Sequence, residues 1–345
     1  MQKDFHFSVV YVLCRFAGLT PQEGQVVATA SQYTDGCKMV GRLYRSDGRY
    51  HLAVPTQAPP HLALSERWQE RILRPFHFVY ADGNQRVTTA GNDRVRSLVE
   101  EAIGLVGSNR RLGLKALGIS LHAFADSYAH QGFSAFQGPE NNVQNLRLKP
   151  NDPALLKKIT GGFLHRFPNL PPQIGHAEAV HCPDIPFLRW SYQRPAGTWW
   201  DGHPPDGVTA NGGVIIRDNA EITAAAVRSI SDLLQTVPGT AEGLSLNHQQ
   251  NLLSVDRFRS LDSLERRKKH WEALVMAPGG FGNISPTEKD WYRYAGKDWF
   301  GDAYGLALTG SGGPAHRGLK PGYETSHWWD FQNAARWVMR TLSPW

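Results

Sequence analysis

The chain has 345 residues, of which 41% are hydrophobic and 20% charged, a composition typical of a globular protein with one large domain or two. Its net charge of +6 comes from scattered basic residues, so we predict no sequence-specific nucleic-acid binding. Three cysteines without a CxxC pair argue against a disulfide framework and a thiolate zinc site. The sequence also lacks an apolar run long enough to span a membrane, a nucleotide-binding loop and a serine-hydrolase motif.

Two helices are predicted at the N-terminus. Asp4 is the expected N-cap of a helix over residues 5–17. Thr20–Glu23 forms a capping box, in which threonine is the cap, proline takes the first helical position and glutamate lies three residues after the cap. The second helix is expected to end at Asp35 and to run antiparallel to the first. This geometry predicts that His6 and Asp35 lie close together.

The N-terminal segment does not have the form of a signal peptide, because Asp4, His6 and Arg15 interrupt its apolar stretch. We therefore expect a cytoplasmic protein, with export by a dedicated secretion system as the alternative.

Helices dominate the prediction for the rest of the chain. We expect a loop with a short strand pair over 38–63, and irregular segments over 134–175 and 185–213. Helices are predicted at about 65–73, 93–106, 110–131, 153–159, 219–235, 244–253, 262–274 and 327–342. The expected fold is all-α, a multi-helix bundle around a buried central helix at about 110–131, with long Trp-, Gly- and Pro-rich loops. Residues 1–240 are predicted to form the main domain, and residues 241–345 a C-terminal helical and loop layer packed on it.

The predicted central helix carries a stripe of polar residues. His122, Asp126 and His130 follow at intervals of four, and a helix turns about 100° per residue, so they share one face. The rest of the helix is apolar on nearly all sides, which indicates burial. Two imidazoles and a carboxylate suit zinc or a similar divalent ion. The alternative is an aspartate that bridges two core histidines by hydrogen bonds.

Residues of the same ligand types recur along the first 184 positions. They come from the two predicted N-terminal helices, a loop, the central helix and the segment 175–184. The set is His6, Asp35, His77, His122, Asp126, His130, His176, Glu178, His181 and Asp184. A carboxylate can bridge two ions and imidazoles can complete their coordination, so the set predicts a multinuclear metal site in the domain 1–240.

Several segments resemble an uncharacterised bacterial family that is labelled only as a domain of unknown function. They are MQKDFH, ASQYTDG, PFHF, LGISLHAFADSYAHQGFSAF, GHAEAVHCPD, RDNAE and FQNAARWVM. More distantly, the central helix and the order of ligands are similar to the zinc-dependent phospholipase C superfamily, to which fungal single-strand nucleases belong. That resemblance implies an all-α fold and three zinc ions, with a His-x3-Asp pair on a central helix.

The resemblance also implies individual roles. His122 and Asp126 correspond to the pair on the central helix, with Asp126 as the bridging ligand. Asp35 and His77 correspond to the upstream aspartate and histidine that share the first ion. His6 takes the place of the early histidine.

Further along the chain, His130 and His176 correspond to the later histidines of the superfamily. Two departures follow. Those enzymes bind the third ion through the amino group and carbonyl of an N-terminal tryptophan, whereas this sequence begins with methionine. Their downstream His-x3-Glu is replaced by His176-Ala-Glu178 and His181-Cys-Pro-Asp184. His181 and Asp184 are either ligands or partners that orient a ligand imidazole.

Three functions are compatible with this pattern. The first is a metal-dependent hydrolase of a small-molecule or lipid phosphate ester, with two or three zinc ions, or else manganese or iron. Glu178 or Asp184 would act as general base, and Arg189, Arg194 or Arg217 would bind the anionic group of the substrate. The second is a di-iron or mixed-metal oxygenase, because a site without cysteine also suits iron. The third is a non-catalytic protein with structural metal ions and Trp-rich loops that bind a partner.

Overall fold

The computed structural model describes residues 1–59, 61–81, 86–150, 152–164, 173–194, 208–211, 213–240, 263–276, 291–307 and 316–342. The α- and π-helical elements in these ranges are a π-helical turn (Asp4–Val9), α1 (Val10–Phe16), α2 (Pro21–Gly36), α3 (Glu66–Trp68), a second π-helical turn (Gln69–Leu73), α4 (Arg74–His77), α5 (Asp93–Ser108), α6 (Arg110–Ala129), α7 (Pro153–Leu164), α8 (Asn219–Leu234), α9 (Leu264–Met276), α10 (Gly296–Ala303) and α11 (His327–Leu342). The strands are β1 (Arg42–Tyr44), β2 (Tyr50–Leu52), β3 (Gln144–Leu148), β4 (Arg189–Gln193), β5 (Val208–Asn211), β6 (Val214–Asp218), β7 (Tyr304–Ala307) and β8 (His316–Leu319).

Helix α6 is the centre of the packing. The Asn109 side chain caps its first turn by accepting a hydrogen bond from the Leu112 N–H at 3.2 Å. Nearly every residue from Gly113 to Ala129 is buried, because α2, α5, α8 and α11 pack around this helix. The polar stripe of α6 is therefore held inside the protein.

The prediction of an all-α fold is wrong. Within the described ranges the strands form three small antiparallel sheets: the hairpin β1–β2, a four-stranded sheet in the order β3-β4-β6-β5, and the pair β7–β8. The short strand pair expected over 38–63 is the first of these. By contrast, β3 lies in the segment 134–175 and β4 and β5 lie in the segment 185–213, and both segments were predicted to be irregular. In β4 the buried Trp190 and Tyr192 alternate with more polar neighbours, and they pair with Arg217 and Ile215 of β6. This alternation with a period of two is a strand signal. In β6 the buried Arg217 takes one of the inward-facing positions and disguises the same signal.

The N-terminal helices follow the prediction in part. The Thr20 hydroxyl accepts from the Glu23 N–H at 3.3 Å and the Glu23 carboxylate accepts from the Thr20 N–H at 2.9 Å, which confirms the capping box. Asp4 does not cap a helix, because the chain starts with a π-helical turn in which no side chain caps. Its buried carboxylate accepts from Arg267 Nε at 2.7 Å instead. This ion pair joins α9 to the turn that carries His6.

The C-terminal residues pack onto the same core. The helices predicted near 262–274 and 327–342 are α9 and α11, whereas the one predicted near 244–253 lies outside the described residues. Trp271, Trp299 and Trp328 are buried in the same hydrophobic core cluster as the apolar residues of α6. In the part of the chain that the structure describes, no helix is both long enough and apolar enough to cross a membrane.

The close approach of α2 to α6 depends on the missing side chain at Gly118. A Cβ at this position would lie 2.4 Å from the Val27 carbonyl oxygen and 2.6 Å from the Ala30 Cβ, so Gly118→Ala forces the two helices apart. We expect the substitution to lower the free energy of unfolding by about 1–3 kcal/mol. Gly104→Ala on α5 is the control, because nothing lies within 4 Å of its Cβ position and alanine favours a helix by up to about 1 kcal/mol. Urea denaturation measures both; equal stabilities would contradict the packing.

Candidate metal centre

The predicted ligands meet beside the C-terminal half of α6. His122 and Asp126 lie on that helix, and His130 follows directly after it. The other side chains come from the first π-helical turn, the ends of α2 and α4, and the segment 175–184. Together they form three groups of donor atoms that lie within 4.8 Å of one another in each group. The groups are His6, Asp35 and His122; His77, His122 and Asp126; and His130, His176 and Asp184.

The second group is a nearly regular triangle of donor atoms. His77 Nδ1 lies 3.0 Å from Asp126 Oδ2 and 3.1 Å from His122 Nε2, and His122 Nε2 lies 3.2 Å from Asp126 Oδ2. An ion about 2.1 Å from each donor separates neighbouring donors by about 3.0 Å in an octahedral arrangement and about 3.4 Å in a tetrahedral one. The triangle therefore has the dimensions of one face of a metal coordination sphere.

The backbone fixes which nitrogen of His77 faces this triangle. His77 Nε2–H donates to the Thr56 carbonyl oxygen at 2.9 Å. In a neutral imidazole, Nδ1 then carries a lone pair, and this lone pair points at the Asp126 carboxylate. Two acceptors 3.0 Å apart repel each other unless a proton or a metal ion lies between them.

The third group repeats this arrangement. His130 Nδ1–H donates to the His77 carbonyl oxygen at 2.9 Å, and its Nε2 lies 3.1 Å from Asp184 Oδ1. His176 Nδ1–H donates to the Val180 carbonyl oxygen at 2.7 Å, and its Nε2 lies 3.7 Å from Asp184 Oδ2. Ligand histidines in metalloproteins are oriented in this way, by a hydrogen bond from the nitrogen that does not bind the ion.

Val180 shows that the third group is held by a strained backbone. Its φ is 55°, in the left-handed region that a β-branched residue rarely adopts. This conformation directs the carbonyl of Val180 at the ring of His176. The strain is maintained by the surrounding structure and marks this turn as part of the site.

The first group extends the centre towards solvent. The His6 ring stacks on His122 with centroids 3.9 Å apart, and its Nε2 lies 3.2 Å from Asp126 Oδ1. The Nδ1 of this buried ring has no hydrogen-bond partner in the part of the chain that the structure describes. Asp35 lies 3.7 Å from His122 Nε2 and is 34% exposed. The group confirms the predicted proximity of His6 and Asp35, and Asp35 is its most exposed member.

The Met1 amine lies between the carboxylates of Asp126 and Asp184. It is 2.6 Å from Asp126 Oδ1 and 3.2 Å from Asp184 Oδ1. Burial alone would lower the pKa of this amine, but the two carboxylates outweigh burial and raise it to about 11. The amine is therefore a cation, and its position shows that the space between Asp126 and Asp184 is suited to positive charge.

The carboxylates of the centre stay ionised. Burial alone would raise the pKa of Asp126, but the His130 imidazole, the Met1 amine and other imidazoles of the cluster hold it well below its usual value. The pKa of Asp184 is lowered in the same way, against burial, by the Met1 amine and neighbouring imidazoles. Both residues can therefore bind cations at neutral pH.

Two of the imidazoles are neutral at pH 7. Burial, with help from His122 and the Met1 amine, lowers the pKa of His6 to about 4. Burial also lowers the pKa of His176 to about 4, although the Asp184 carboxylate opposes this shift. A neutral imidazole is the form that binds a metal ion, so these rings require no deprotonation.

The structure places two further predicted residues outside the three groups. Glu178 accepts a hydrogen bond from the Val143 N–H at 2.6 Å, which connects the turn that carries Glu178 to the residue just before β3. His181 is exposed. Asp184, predicted as either a base or a ligand, lies inside the third group.

The three predicted substrate-binding arginines occupy different surroundings. Arg217 is buried and donates to the carbonyl oxygens of Ala129 at 2.7 Å and Gln131 at 2.8 Å, so it caps the C-terminal end of α6. The Arg194 guanidinium lies 4.8 Å from the centre of the Phe133 ring. Arg189 is exposed on β4.

Sequence reasoning missed the groups that orient the ligands. The carbonyl oxygens of Thr56 and Val180 leave no signal in side-chain identity, because any residue supplies a backbone carbonyl. The position of the Met1 amine beside Asp126 and Asp184 was not predicted either.

Comparison with known proteins identifies the family. The chain belongs to a family of unknown function (DUF6765), whose model matches residues 1–343. No curated protein and no solved structure matches the chain. Membership of an uncharacterised family is therefore confirmed, and these comparisons name no activity.

The Asp126 carboxylate faces His6, His77 and His122, so its negative charge is the first property to test. Asp126→Asn preserves shape but removes the negative charge that faces imidazoles on both oxygens. We expect the variant to keep its circular dichroism spectrum and to lose at least half of its bound metal, measured by elemental analysis. Glu178→Gln is the matched control, because Glu178 contacts a backbone N–H instead of the cluster. Full metal content in Asp126→Asn would rule out Asp126 as a ligand.

Metal uptake should release a proton from His77. Burial alone would lower the pKa of this imidazole, but Asp126 raises it above its usual value. Because the metal must displace this proton, affinity should fall as the pH falls below that raised pKa. Calorimetric zinc titration of apoprotein between pH 6 and 8, in buffers of different ionisation enthalpy, measures both effects. His181→Ala should behave like the wild type, and an affinity independent of pH would contradict the assignment of His77.

Proposed function

We propose that this member of the DUF6765 family is a metal-dependent hydrolase, acting most readily on a phosphate ester, with a di- or trinuclear His/Asp centre. One observation carries the proposal. His77, His130 and His176 each donate one ring N–H to a backbone carbonyl and direct the other nitrogen at Asp126 or Asp184. The resemblance to the zinc-dependent phospholipase C superfamily points the same way.

The alternative explanation, a hydrogen-bonded core without metal, is energetically less favourable. It would need protons on several imidazoles that lie within a few ångströms of one another. His77 and His122 are both buried and their ring nitrogens are 3.1 Å apart, so two imidazolium ions would repel strongly there. Burial also disfavours the protonated form of His6 and His176. Divalent cations satisfy the same lone pairs and carboxylates without this repulsion.

The donor set favours zinc or manganese, with iron as the alternative. Every candidate ligand is an imidazole nitrogen or a carboxylate oxygen. The cysteines do not take part in the described groups, and burial raises the pKa of Cys37 to about 11 and that of Cys182 to about 12. These thiols are therefore neutral at physiological pH.

Two carboxylates are arranged to serve more than one ion. Asp126 directs Oδ1 towards His6 and Oδ2 towards His77 and His122. Asp184 directs Oδ1 towards His130 and Oδ2 towards His176. Metal ions held by such residues lower the pKa of bound water and stabilise charge on phosphate oxygens. We assign Asp184 to metal binding instead of proton transfer, because both of its oxygens face imidazoles.

Access to solvent favours catalysis over a purely structural role. His6, His122 and Asp126 are almost completely buried, whereas the side chains of Asp35 and His176 are 34% and 19% exposed. A structural site is normally closed by protein ligands, while a catalytic one keeps a position for water or substrate. Asp35 and His176 therefore mark the side from which a substrate would enter.

The test is a comparison of metal-loaded enzymes on two probe substrates, p-nitrophenyl phosphate and bis(p-nitrophenyl) phosphate. Zinc- or manganese-loaded protein should hydrolyse at least one of them, and a chelator should abolish the activity. His122→Ala should lose more than the roughly 10- to 100-fold that loss of a supporting contact costs, and His181→Ala should keep wild-type activity.

Three results would contradict the proposal of a hydrolase that uses this metal centre. Equal activity of the two histidine variants would place the reaction elsewhere. Oxygen consumption by iron-loaded protein, without ester hydrolysis, would favour the oxygenase. A single tightly held zinc ion without any activity would favour the structural role.

A further inference from the structure

The hairpin β1–β2 has an apolar surface exposed to solvent. Exposed large hydrophobic side chains in the described part of the chain all lie between residues 40 and 64. They are Val40, Tyr44, Tyr50, Leu52 and Leu64, with exposed fractions of 44–62%. Single exposed hydrophobic residues are ordinary, but a contiguous group on one element marks an interaction site.

The register places most of this group on one face of the hairpin. Arg42 pairs with Leu52 and Tyr44 with Tyr50, and paired residues of an antiparallel ladder point to the same side. The two tyrosine rings are in edge contact with centroids 6.0 Å apart. The outer face of the hairpin therefore consists of Arg42, Tyr44, Tyr50 and Leu52.

The opposite face already has its packing partners. Leu43 is buried, and the His51 ring lies 4.5 Å from the ring of Trp329, with its Nε2 2.6 Å from the hydroxyl of Tyr323. A hairpin with one buried face normally presents polar residues on the other. Here the outer face presents two tyrosines and a leucine instead. Packing within the described part of the chain does not account for these exposed apolar side chains.

The segment that carries the outer face has a net positive charge, and Arg42 lies on the outer face itself. The segment 38–52 contains four basic residues and one acidic residue, Asp47, whose carboxylate pairs with Arg45 at 3.2 Å. The Arg42 guanidinium lies over the Tyr50 ring, 4.6 Å from its centre. The basic residues are Lys38, Arg42, Arg45 and Arg49. Aromatic and aliphatic side chains flanked by arginines are complementary to the boundary between acyl chains and negatively charged headgroups.

We propose that the outer face docks the protein onto the surface of an anionic lipid bilayer. A protein partner fits less well, because a stable protein interface needs about 800 Å² on each side. Four side chains of one short hairpin supply only a fraction of that area. A bilayer needs no matched surface, and tyrosine and arginine are the residues that insert at its interface.

The hairpin is connected directly to the metal centre. It lies between Asp35, a member of the first group, and Thr56, whose carbonyl orients His77. The Thr56 hydroxyl donates to the Thr34 carbonyl oxygen at 2.6 Å and fixes the base of the hairpin to the end of α2. Docking would thus act on a segment that borders the centre, but the docking itself does not depend on the proposed hydrolase.

The test is sedimentation of the full metal-loaded chain with large unilamellar vesicles. One vesicle is pure phosphatidylcholine and the other contains one quarter phosphatidylglycerol. We expect binding to the anionic vesicles, weakened by salt and absent on pure phosphatidylcholine. Arg42→Gln should weaken binding about fivefold, the effect of one basic residue near such a surface. Tyr44→Ser combined with Leu52→Ser should weaken it at least as much.

Controls separate docking from folding and from the proposed hydrolase. Arg147→Gln removes an exposed charge from β3, and Leu64→Ser removes an exposed apolar side chain outside the outer face; both should bind like the wild type. All variants should keep the metal content of the wild type. The proposal is overturned if anionic vesicles do not sediment the protein, or if the hairpin variants bind as well as the controls. A concentration-dependent dimer that Leu52→Ser dissociates would also overturn it, in favour of a second copy of this chain.

Discussion

A carboxylate buried among imidazoles is the interaction on which the rest of the structure depends. Asp126 lies inside the protein on the longest helix, and both of its oxygens face nitrogen atoms at 2.6–3.2 Å. Such a charge is costly to bury, so some of the surrounding elements must supply compensating groups. The first π-helical turn supplies His6, the end of α4 supplies His77, and α6 itself supplies His122. The helices therefore serve to bring these groups to one point.

Several contacts away from the centre keep this arrangement in place. Arg267 of α9 binds Asp4 and so holds the turn that carries His6, in a buried pair whose disruption costs about 3–5 kcal/mol. Arg217 caps the end of α6 beside His130. Val180, in its strained conformation, orients His176. Residues from the four-stranded sheet and from the C-terminal layer thus support a centre whose candidate ligands all lie within the first 184 positions.

The sequence was most informative where side-chain chemistry decides the outcome. The spacing of His122, Asp126 and His130 predicted one helical stripe, and the capping box at Thr20 predicted where α2 begins. It was least informative where the backbone or distant residues decide. Nothing local shows that Arg217 caps the end of α6, or that Asp4 pairs with a residue more than 260 positions away.

The most direct test of the account is elemental analysis of protein purified without a histidine tag and without added metal. The histidines and carboxylates form three groups that could each hold an ion, so we expect two or three equivalents of zinc or manganese per chain. Two equivalents of iron would keep the centre and change its chemistry. No bound metal, with none taken up on titration with zinc, manganese or iron, would contradict the account and leave Asp126 and its imidazoles as a hydrogen-bonded core.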